Sequence, residues 1–258
     1  MILWGITILI VLIAAYVLLI VPTRWLRIEH VHYPEAKLGI RILQISDIHA
    51  ERTRITPEKL VHVIETLRPD YICVTGDFTE KAVHLPKVKR YAEAIASAGI
   101  PVYAVLGNHD YRLESKLPQL MNLLTASGFK VLVNESVLVD GRMRFVGIDD
   151  HSSRRSNFEA AFAQVEPNMP TVVLTHDPTA VLIIQRPFHY FMAGHFHGMQ
   201  VNIPPLFRFV NKGGLVEAGV YKGLHHTRNG PFYISAGIGQ AGINARFLVR
   251  TEVTLHEL

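Results

Sequence analysis

Residues 41–50 read RILQISDIHA, an apolar run typical of a β-strand that leads directly into Asp47 and His49. The same order recurs along the chain, because other short apolar runs are each followed by a cluster of polar residues. These clusters are Gly76-Asp77, Gly107-Asn108-His109-Asp110, Thr175-His176-Asp177 and Gly194-His195-Phe196-His197. Since loops at strand ends gather at one edge of a sheet in α/β proteins, the clusters predict one shared site.

Strand-like and helix-like segments alternate through the first half of the chain, which indicates βαβ units. The expected strands lie at 41–45, 71–75 and 102–106, and the expected helices at 57–67, 85–98 and 117–127. Later strands are expected at 171–174, 190–193, 232–235 and 247–255. Asp140-Gly141 and Asn229-Gly230 predict hairpin turns. The predicted fold class is therefore α/β, with mixed sheets covered by helices.

The composition limits the size of the protein and the class of its partners. A chain of 258 residues that is 49% hydrophobic can form one catalytic domain with a large core, but not two. The net charge is +4, and the basic residues are scattered rather than gathered in a stripe, so no nucleic acid partner is expected. Cys73 is the single cysteine, which excludes an intramolecular disulfide. The oligomeric state stays open.

The N-terminal segment is long and apolar enough to cross a bilayer. Residues 2–21 carry no charged side chain, and a helix of this length matches a hydrocarbon core of roughly 30 Å. This predicts a transmembrane anchor over residues 1–24, a tether over 25–38 and a catalytic domain over 39–258. The alternative is a cleaved signal peptide, although the apolar run is longer than usual and no basic residue precedes it.

Positive charges on the C-terminal side of this segment predict its orientation. Arg24 and Arg27 flank Trp25 at the expected interface, and Lys37 and Arg41 follow. Because positive residues are enriched on the cytoplasmic side, we expect a single-pass protein of the cell membrane with its catalytic domain in the cytoplasm.

The residue types in the clusters are those of a metal site. Carboxylates and imidazoles suit Mn²⁺, Fe and Zn²⁺, whereas the absence of thiolates argues against a structural zinc. Two cations roughly 3.5–4 Å apart would repel each other, so a dinuclear site needs a bridging carboxylate. Asp77 is the natural bridge. Glycines at 76, 107 and 194 allow the backbone to approach the metals closely.

Together, these motifs resemble those of the calcineurin-like metallophosphoesterases, from about residue 40 to the C-terminus. The resemblance implies a four-layer α/β/β/α sandwich and two divalent metal ions, with Mn²⁺ expected and Zn²⁺ or Fe²⁺ as alternatives. It assigns one metal to Asp47, His49, Asp77 and His197. It assigns the other to Asp77, Asn108, His176 and His195. Phe196 and Met199 depart from the family pattern Gly-His-Thr-His-Gly-Gly-Gln, which leaves the ligands intact but alters the local pocket.

The resemblance also implies two catalytic residues, His109 and Glu80. His109 would donate a proton to the leaving oxygen or, as an imidazolium, stabilise the phosphoryl charge. Glu80 would orient His109 and raise its pKa, unless it is only a solvated loop residue. Asp110 and Asp177 are either hydrogen-bond partners of ligand histidines or turn and cap residues.

The sequence thus predicts a dinuclear metal-dependent phosphoesterase that hydrolyses phosphodiester or pyrophosphate bonds. With its N-terminal membrane segment, the chain resembles the bacterial membrane-associated branch of this family. That branch includes UDP-diacylglucosamine pyrophosphatases and related phosphodiesterases. The substrate would then be a phosphate ester that is membrane-proximal or lipid-linked. The alternatives are a catalytically silent metal-binding scaffold and a secreted phosphoesterase with a cleaved N-terminus.

Two further segments have alternative interpretations. Residues 201–210 read VNIPPLFRFV, and their apolar side chains either line an acyl pocket at the interface or pack as ordinary core. Leu206 and Phe207 are the residues on which that choice depends. His225 and His226 are either substrate contacts or ordinary surface side chains.

Overall fold

The computed structural model describes residues 2–203, 205 and 213–258. Its first sheet has the strand order β1-β12-β2-β3-β4-β5. These strands are β1 (Arg27–His32), β2 (Arg41–Ile45), β3 (Tyr71–Thr75), β4 (Val102–Val105), β5 (Phe129–Val131) and β12 (Glu252–Glu257). Strands β2 to β5 run parallel, and β12 is parallel to β1 and antiparallel to β2.

Three helices connect the parallel strands, as the βαβ pattern predicts. They are α3 (Pro57–Leu67), α4 (Leu85–Ala96) and α5 (Leu117–Ala126). Local chemistry explains the bounds of α3, because the Thr56 hydroxyl accepts a hydrogen bond from the Lys59 amide and Pro57 occupies the first turn. Arg68, in the left-handed conformation, ends the helix. Leu60, Val63 and Ile64 form its buried face.

The second sheet has the order β10-β11-β9-β8-β7-β6. Its strands are β6 (Glu135–Val139), β7 (Met143–Gly147), β8 (Thr171–Leu174), β9 (Tyr190–Ala193), β10 (Gly223–Thr227) and β11 (Gly230–Ile234). The hairpins at Asp140-Gly141 and Asn229-Gly230 join β6 to β7 and β10 to β11, as predicted. The short helices α6 (Phe158–Phe162) and α7 (Gly214–Glu217) belong to this half of the molecule.

Three apolar clusters separate the layers. Residues of both sheets, including Ile42 and Phe145, form the middle cluster between the sheets. The outer cluster on the first sheet includes residues of α3 to α5, and the outer cluster on the second sheet includes residues of α6 and α7. The predicted α/β class with two mixed sheets and helices on their outer faces is therefore confirmed.

The N-terminal helix spans Ile2–Arg24, and none of its membrane-length window is buried in the protein. It comprises α1 (Ile2–Ala15), a π-helical segment Tyr16–Ile20 and α2 (Val21–Arg24). By length and composition it is a candidate membrane span.

The stretch between this helix and β2 is folded onto the domain. β1 lies within the range assigned to the tether and pairs with β12 at the edge of the first sheet. Val31, Ala36 and Leu38 are buried in the middle cluster. The boundaries of anchor, tether and domain stay a prediction.

The strand expected at 247–255 was placed too early. The strand itself is β12, and the residues before it pack against the base of the N-terminal helix instead. The Arg246 amide donates to the Leu19 carbonyl at 2.9 Å, and the Thr251 amide donates to the Pro22 carbonyl at 3.1 Å. Because the helix end satisfies these backbone groups, the segment does not join a sheet there.

Candidate metal centre

A cluster of four buried side chains lies at the strand ends where the sequence predicts a site. Asp47, His49, Asp77 and His197 each offer one ligand atom, and these atoms all lie within 4.8 Å of one another. Asp77 Oδ2 is 3.3 Å from His49 Nε2, and Asp47 Oδ1 is 3.3 Å from His197 Nε2. These residues follow β2, β3 and β9, so both sheets contribute to the cluster. It is able to bind a metal ion.

Of the other three predicted ligands, His176 contacts Asp77, His195 contacts His176, and Asn108 lies in the loop that contacts Asp77. His176 Nε2 is 3.2 Å from Asp77 Oδ2 and 3.1 Å from His195 Nδ1. Asn108 lies between Gly107 and His109, whose amide donates to Asp77 Oδ1 at 2.8 Å. One carboxylate, Asp77, therefore has imidazoles of both predicted ligand sets at its Oδ2 atom.

Several donor atoms of the cluster are suited to a divalent metal. His176 Nδ1 donates to the Thr75 carbonyl at 2.8 Å, which leaves Nε2, 3.2 Å from Asp77 Oδ2, as the nitrogen that a metal would take. Within the described residues, the ring nitrogens of His49 and the Asn108 Oδ1 atom are buried without a hydrogen-bond partner. Buried polar atoms are nearly always paired. The residues present therefore fit a metal site.

The charges of the two aspartates also indicate a cation. Burial raises the pKa of Asp77, but His176 and His49 outweigh this effect and hold it well below its usual range. Burial dominates at Asp47 and raises its pKa. Because a buried carboxylate needs compensation by positive charge, a cation beside Asp47 would keep it ionised.

The backbone at the site adopts a conformation that is uncommon for side-chain-bearing residues. Positive φ angles occur at five of the predicted ligands: Asp47, His49, Asp77, His195 and His197. Non-glycine residues seldom adopt the left-handed conformation, and those that do cluster at functional sites. These conformations cost free energy, and they persist here because the surrounding structure directs several ligands toward one point.

Two motif glycines are required by close approach rather than by turn geometry. A Cβ atom at Gly107 would lie 2.3 Å from Asp77 Oδ1, and one at Gly194 would lie 1.9 Å from Ser46 Oγ. Both distances are far below van der Waals contact. The glycines therefore leave space for the carboxylates of the neighbouring loops.

Asp110 braces two of the loops. Its buried carboxylate accepts hydrogen bonds from the amides of Asp77, Phe78, Thr79 and Gly107, at 2.8–3.1 Å. Of the two interpretations left open by the sequence, the loop-turn role is the one that the structure shows. Asp177 caps the short helix that follows it, since it accepts from the Thr179 amide at 2.9 Å.

His109 and Glu80 form a direct pair. His109 Nδ1 is 3.0 Å from Glu80 Oε2, and Arg112 and Arg52 also bind the Glu80 carboxylate, at 2.7 and 3.0 Å. Glu80 is therefore not a solvated loop residue. Glu80 raises the pKa of His109, as predicted, but burial outweighs the Asp77 and Glu80 carboxylates and holds this pKa below its usual value.

Two residues that adjoin the cluster were missed from the sequence. Glu51 Oε1 lies 3.6 Å from His49 Nδ1, and Glu51 Oε2 accepts from the Thr79 hydroxyl at 2.9 Å. Its position two residues after His49, in the same loop after β2, was a signal. Arg246 is fully buried, and no local motif distinguishes it.

Arg246 supports the site from behind. Its guanidinium donates to the carbonyls of Ala236, Gly237 and Gly239, at 2.6–3.0 Å. The Gly239 amide in turn donates to the Asp47 carbonyl at 2.7 Å. The side chain thus fixes a loop that lies directly against a predicted ligand.

The two remaining segments lie elsewhere. His225 and His226 are on β10, where His225 Nε2 contacts the Lys222 carbonyl at 2.9 Å and His226 lies near the Tyr33 ring. Their role as substrate contacts stays a prediction. Leu206 and Phe207, on which the hypothesis for 201–210 depends, lie outside the described residues.

The sandwich fold and the buried Asp/His cluster define an α/β protein with a candidate metal site. A family model described as calcineurin-like phosphoesterase matches residues 40–199. The chain belongs to this family, as the motifs predicted.

Relatives of the chain include a named pyrophosphatase and metallophosphoesterases described as uncharacterized. An uncharacterized metallophosphoesterase of Bacillus subtilis (strain 168), YkoQ, is 38% identical over 86% of this chain and 85% of its own length. The UDP-2,3-diacylglucosamine pyrophosphatase LpxG of Chlamydia trachomatis is 26% identical over 78% of each chain. A transmembrane protein with a metallophosphoesterase domain from Danio rerio is 27% identical over 86% of this chain and 53% of its own length.

Proposed function

We propose that the protein is a two-metal phosphoesterase that hydrolyses phosphodiester or pyrophosphate bonds. The observation that carries this proposal is the position of Asp77, whose Oδ2 atom has His49 at 3.3 Å and His176 at 3.2 Å. One metal would be held by Asp47, His49, Asp77 and His197. The other would be held by Asp77, Asn108, His176 and His195. The donor set suits Mn²⁺, with Zn²⁺ or Fe²⁺ as alternatives.

Metals at these positions would neutralise phosphoryl oxygens and provide a water nucleophile near neutral pH. The protein's own contribution to the leaving group comes from His109. Its Nδ1 is engaged by Glu80 at 3.0 Å, so Nε2 is the atom that can donate a proton to the leaving oxygen. Arg52 and Arg112 keep Glu80 ionised and in place, which fixes the imidazole ring.

We further propose that the substrate is membrane-proximal or lipid-linked. The candidate span Ile2–Arg24 supports this, because a tethered domain meets membrane-bound phosphates at high effective concentration. The relationship to a pyrophosphatase that is named for a lipid substrate supports it too. In the proposed topology the positive charges at Arg24 and Arg27 place the domain on the cytoplasmic face of the cell membrane.

The test begins with metal-stripped full-length protein in detergent, re-supplied with Mn²⁺, Zn²⁺, Mg²⁺ or Fe²⁺. Phosphodiesters, phosphomonoesters and nucleotide-diphospho-lipids are then compared as substrates. Metal binding accompanied by turnover of diesters or pyrophosphates supports the proposal. Stoichiometric metal binding without turnover of any substrate would instead favour a catalytically silent scaffold.

Asp77→Asn tests the bridging role directly. We expect this variant to lose activity and most of its metal, because the neutral amide no longer offsets two cations. Elemental analysis of the purified variant measures the metal content. Asp70→Asn is the matched control, since Asp70 is exposed and lies outside the cluster. Full occupancy and normal turnover of Asp77→Asn would remove Asp77 from the bridge.

A further inference from the structure

The base of the N-terminal helix forms one wall of a largely apolar cavity of about 340 Å³. Val17, Leu18 and Val21 of the helix lie opposite Phe247 and Leu248 of the segment that precedes β12. The remaining lining residues are Pro22, Trp25, Arg27, Lys222, Val249, Arg250 and Glu252. The lining thus combines apolar residues of the candidate membrane span with charged residues of the domain.

A second cavity of about 400 Å³ adjoins the first, and a larger share of its lining is polar. Both are lined by Arg27, Lys222 and Glu252, so these residues lie at the boundary between them. The polar cavity also includes Glu29, His30 and His32 of β1. An apolar cavity, a charged boundary and a more polar cavity, in that order, would complement the acyl chains, charged group and polar headgroup of an amphiphile.

Arg27 pairs with Glu29 at 2.5 Å, but the two other cations of the first cavity have no such partner in the part of the chain that the structure describes. Among the described residues, neither Lys222 nor Arg250 forms an ion pair with a carboxylate within the 4.0 Å limit. Arg250 lies over the Trp25 ring at 4.3 Å, which holds the guanidinium without neutralising it. The acid at the boundary, Glu252, already accepts from the Tyr233 hydroxyl and the Ala236 amide.

Backbone hydrogen bonds join the N-terminal helix to the segment that precedes β12. The bonds from the Arg246 amide to Leu19 and from the Thr251 amide to Pro22 fasten the segment to the helix. Leu248 nevertheless remains 67% exposed, at a positive φ of 57°. A largely exposed apolar side chain beside a candidate membrane span is suited to contact with lipid.

We propose that the two cavities bind one anionic phospholipid of the surrounding bilayer. Its upper acyl carbons contact Val17, Leu18 and Leu248, and its phosphate lies between Lys222 and Arg250. A polar headgroup such as glycerol extends into the cavity beside β1. None of its lining residues is a predicted metal ligand, and the proposal rests on the proposed membrane span rather than on the proposed catalysis.

The position of the site along the N-terminal helix agrees with the expected levels of lipid headgroups and acyl chains. Trp25 directly follows the last helical residue, Arg24, and tryptophan is typical of the level of lipid headgroups. Val17 lies eight residues before Trp25, which is about 12 Å along a helix, within the hydrocarbon. The charged boundary and the apolar cavity therefore match the levels at which a lipid presents its phosphate and its acyl chains.

Native mass spectrometry of the full-length protein in detergent tests the proposal. Phosphatidylglycerol and phosphatidylcholine are titrated separately, and the bound lipid per protein is counted. We expect one phosphatidylglycerol to bind at least tenfold more tightly than phosphatidylcholine. Lys222→Gln/Arg250→Gln should lower the affinity for phosphatidylglycerol roughly tenfold or more and leave that for phosphatidylcholine unchanged.

Two control variants separate the site from general effects. Arg154→Gln/Arg228→Gln removes the same charge from exposed positions away from the cavity and should bind phosphatidylglycerol like the wild type. Leu248→Asn should weaken both lipids equally, and asparagine tolerates the positive φ there. Equal affinity for the two lipids would overturn the proposal, as would an equal loss in the charge control. Because the readout is binding, neither outcome depends on catalytic activity.

Discussion

His109 is placed to act on the leaving group without holding a metal. Its ring contacts that of His49 at 4.7 Å between centroids, and Glu80 fixes its Nδ1 atom. We expect His109→Ala to retain its metals and to lower kcat roughly 10²–10⁴-fold, the usual size of an acid–base contribution. Metal analysis and steady-state kinetics on the same preparation measure the two effects.

The choice of leaving group distinguishes the two roles open to His109. A general acid matters least when the leaving group is already a weak base, so activated aryl esters should lose less rate than alkyl esters. Equal losses would exclude the general acid and favour stabilisation of phosphoryl charge. His62→Ala, an exposed histidine on α3, is the control.

At the residue scale, the sequence could predict those site residues that lie within short motifs. The motifs named Asp47, Asp77 and His197, and these side chains do converge. Arg246 could not be found in the same way, because it contacts the site through a loop that only the fold places beside Asp47. The direction in which the pKa of His109 shifts could not be predicted either, because burial decides it and burial is a property of the packed structure.

At the scale of elements, the loops after β3 and β4 are packed without room for an extra atom. A Cβ at Gly107 would meet Asp77 Oδ1 at 2.3 Å and the Asp77 amide at 2.7 Å. We expect Gly107→Ala to displace the Asp77 carboxylate, with loss of metal and of most activity while the sheets stay folded. Elemental analysis and circular dichroism measure the two properties.

Gly214→Ala provides the matched control for this prediction. A Cβ at Gly214 would meet nothing within 4 Å, and this glycine begins α7 without a positive φ. Its metal content and activity should equal those of the wild type. If Gly107→Ala also kept its metal, the close packing of the two loops would not control the position of Asp77.

The elements that the sequence predicted well are those with strong local patterns. The bounds of β2, β3 and α3 follow from apolar periodicity and capping residues. β1, β5 and β10 were not predicted, because a short strand without an apolar run becomes a strand only through its neighbour in the sheet. The late start of β12 has a similar origin in the contacts with the N-terminal helix.

At the scale of the whole molecule, His256 couples stability to pH through the layer between the sheets. It is fully buried, with Nδ1 3.0 Å from the Tyr190 hydroxyl and Nε2 3.1 Å from Gln44 Oε1. Burial lowers its pKa to about 3. The folded protein therefore holds this imidazole neutral under conditions in which the unfolded chain protonates it.

The resulting pH dependence has a defined sign. The unfolded chain binds the proton below about pH 6.5, so stability is complete above that pH and falls by up to ~1.4 kcal/mol per pH unit toward pH 3. Between about pH 7.5 and pH 5, His256→Gln should lose about 2 kcal/mol less than the wild type in urea unfolding. His62→Gln should retain the wild-type slope. An unchanged slope in His256→Gln would contradict the assignment.

The N-terminal helix has a structural role as well as the proposed role in the membrane. Leu19 and Pro22 accept backbone hydrogen bonds from the segment before β12, and the Thr23 hydroxyl accepts from Arg54. Deleting residues 1–24 removes all three bonds, whereas deleting residues 1–15 leaves them intact. Both deletions remove the length needed to span a bilayer.

Comparison of the two deletions, in one detergent, separates these roles. At about 1 kcal/mol per hydrogen bond, the longer deletion should lose about 3 kcal/mol, or roughly 5–10 °C in Tm, and the shorter one should stay near the wild type. In vesicles, both should lower the rate ratio of a lipid-linked to a soluble phosphodiester, because tethering raises the effective concentration of membrane substrates alone. Equal Tm values would show that the helix base does not support the domain. An unaltered rate ratio would mean that the span only locates the enzyme.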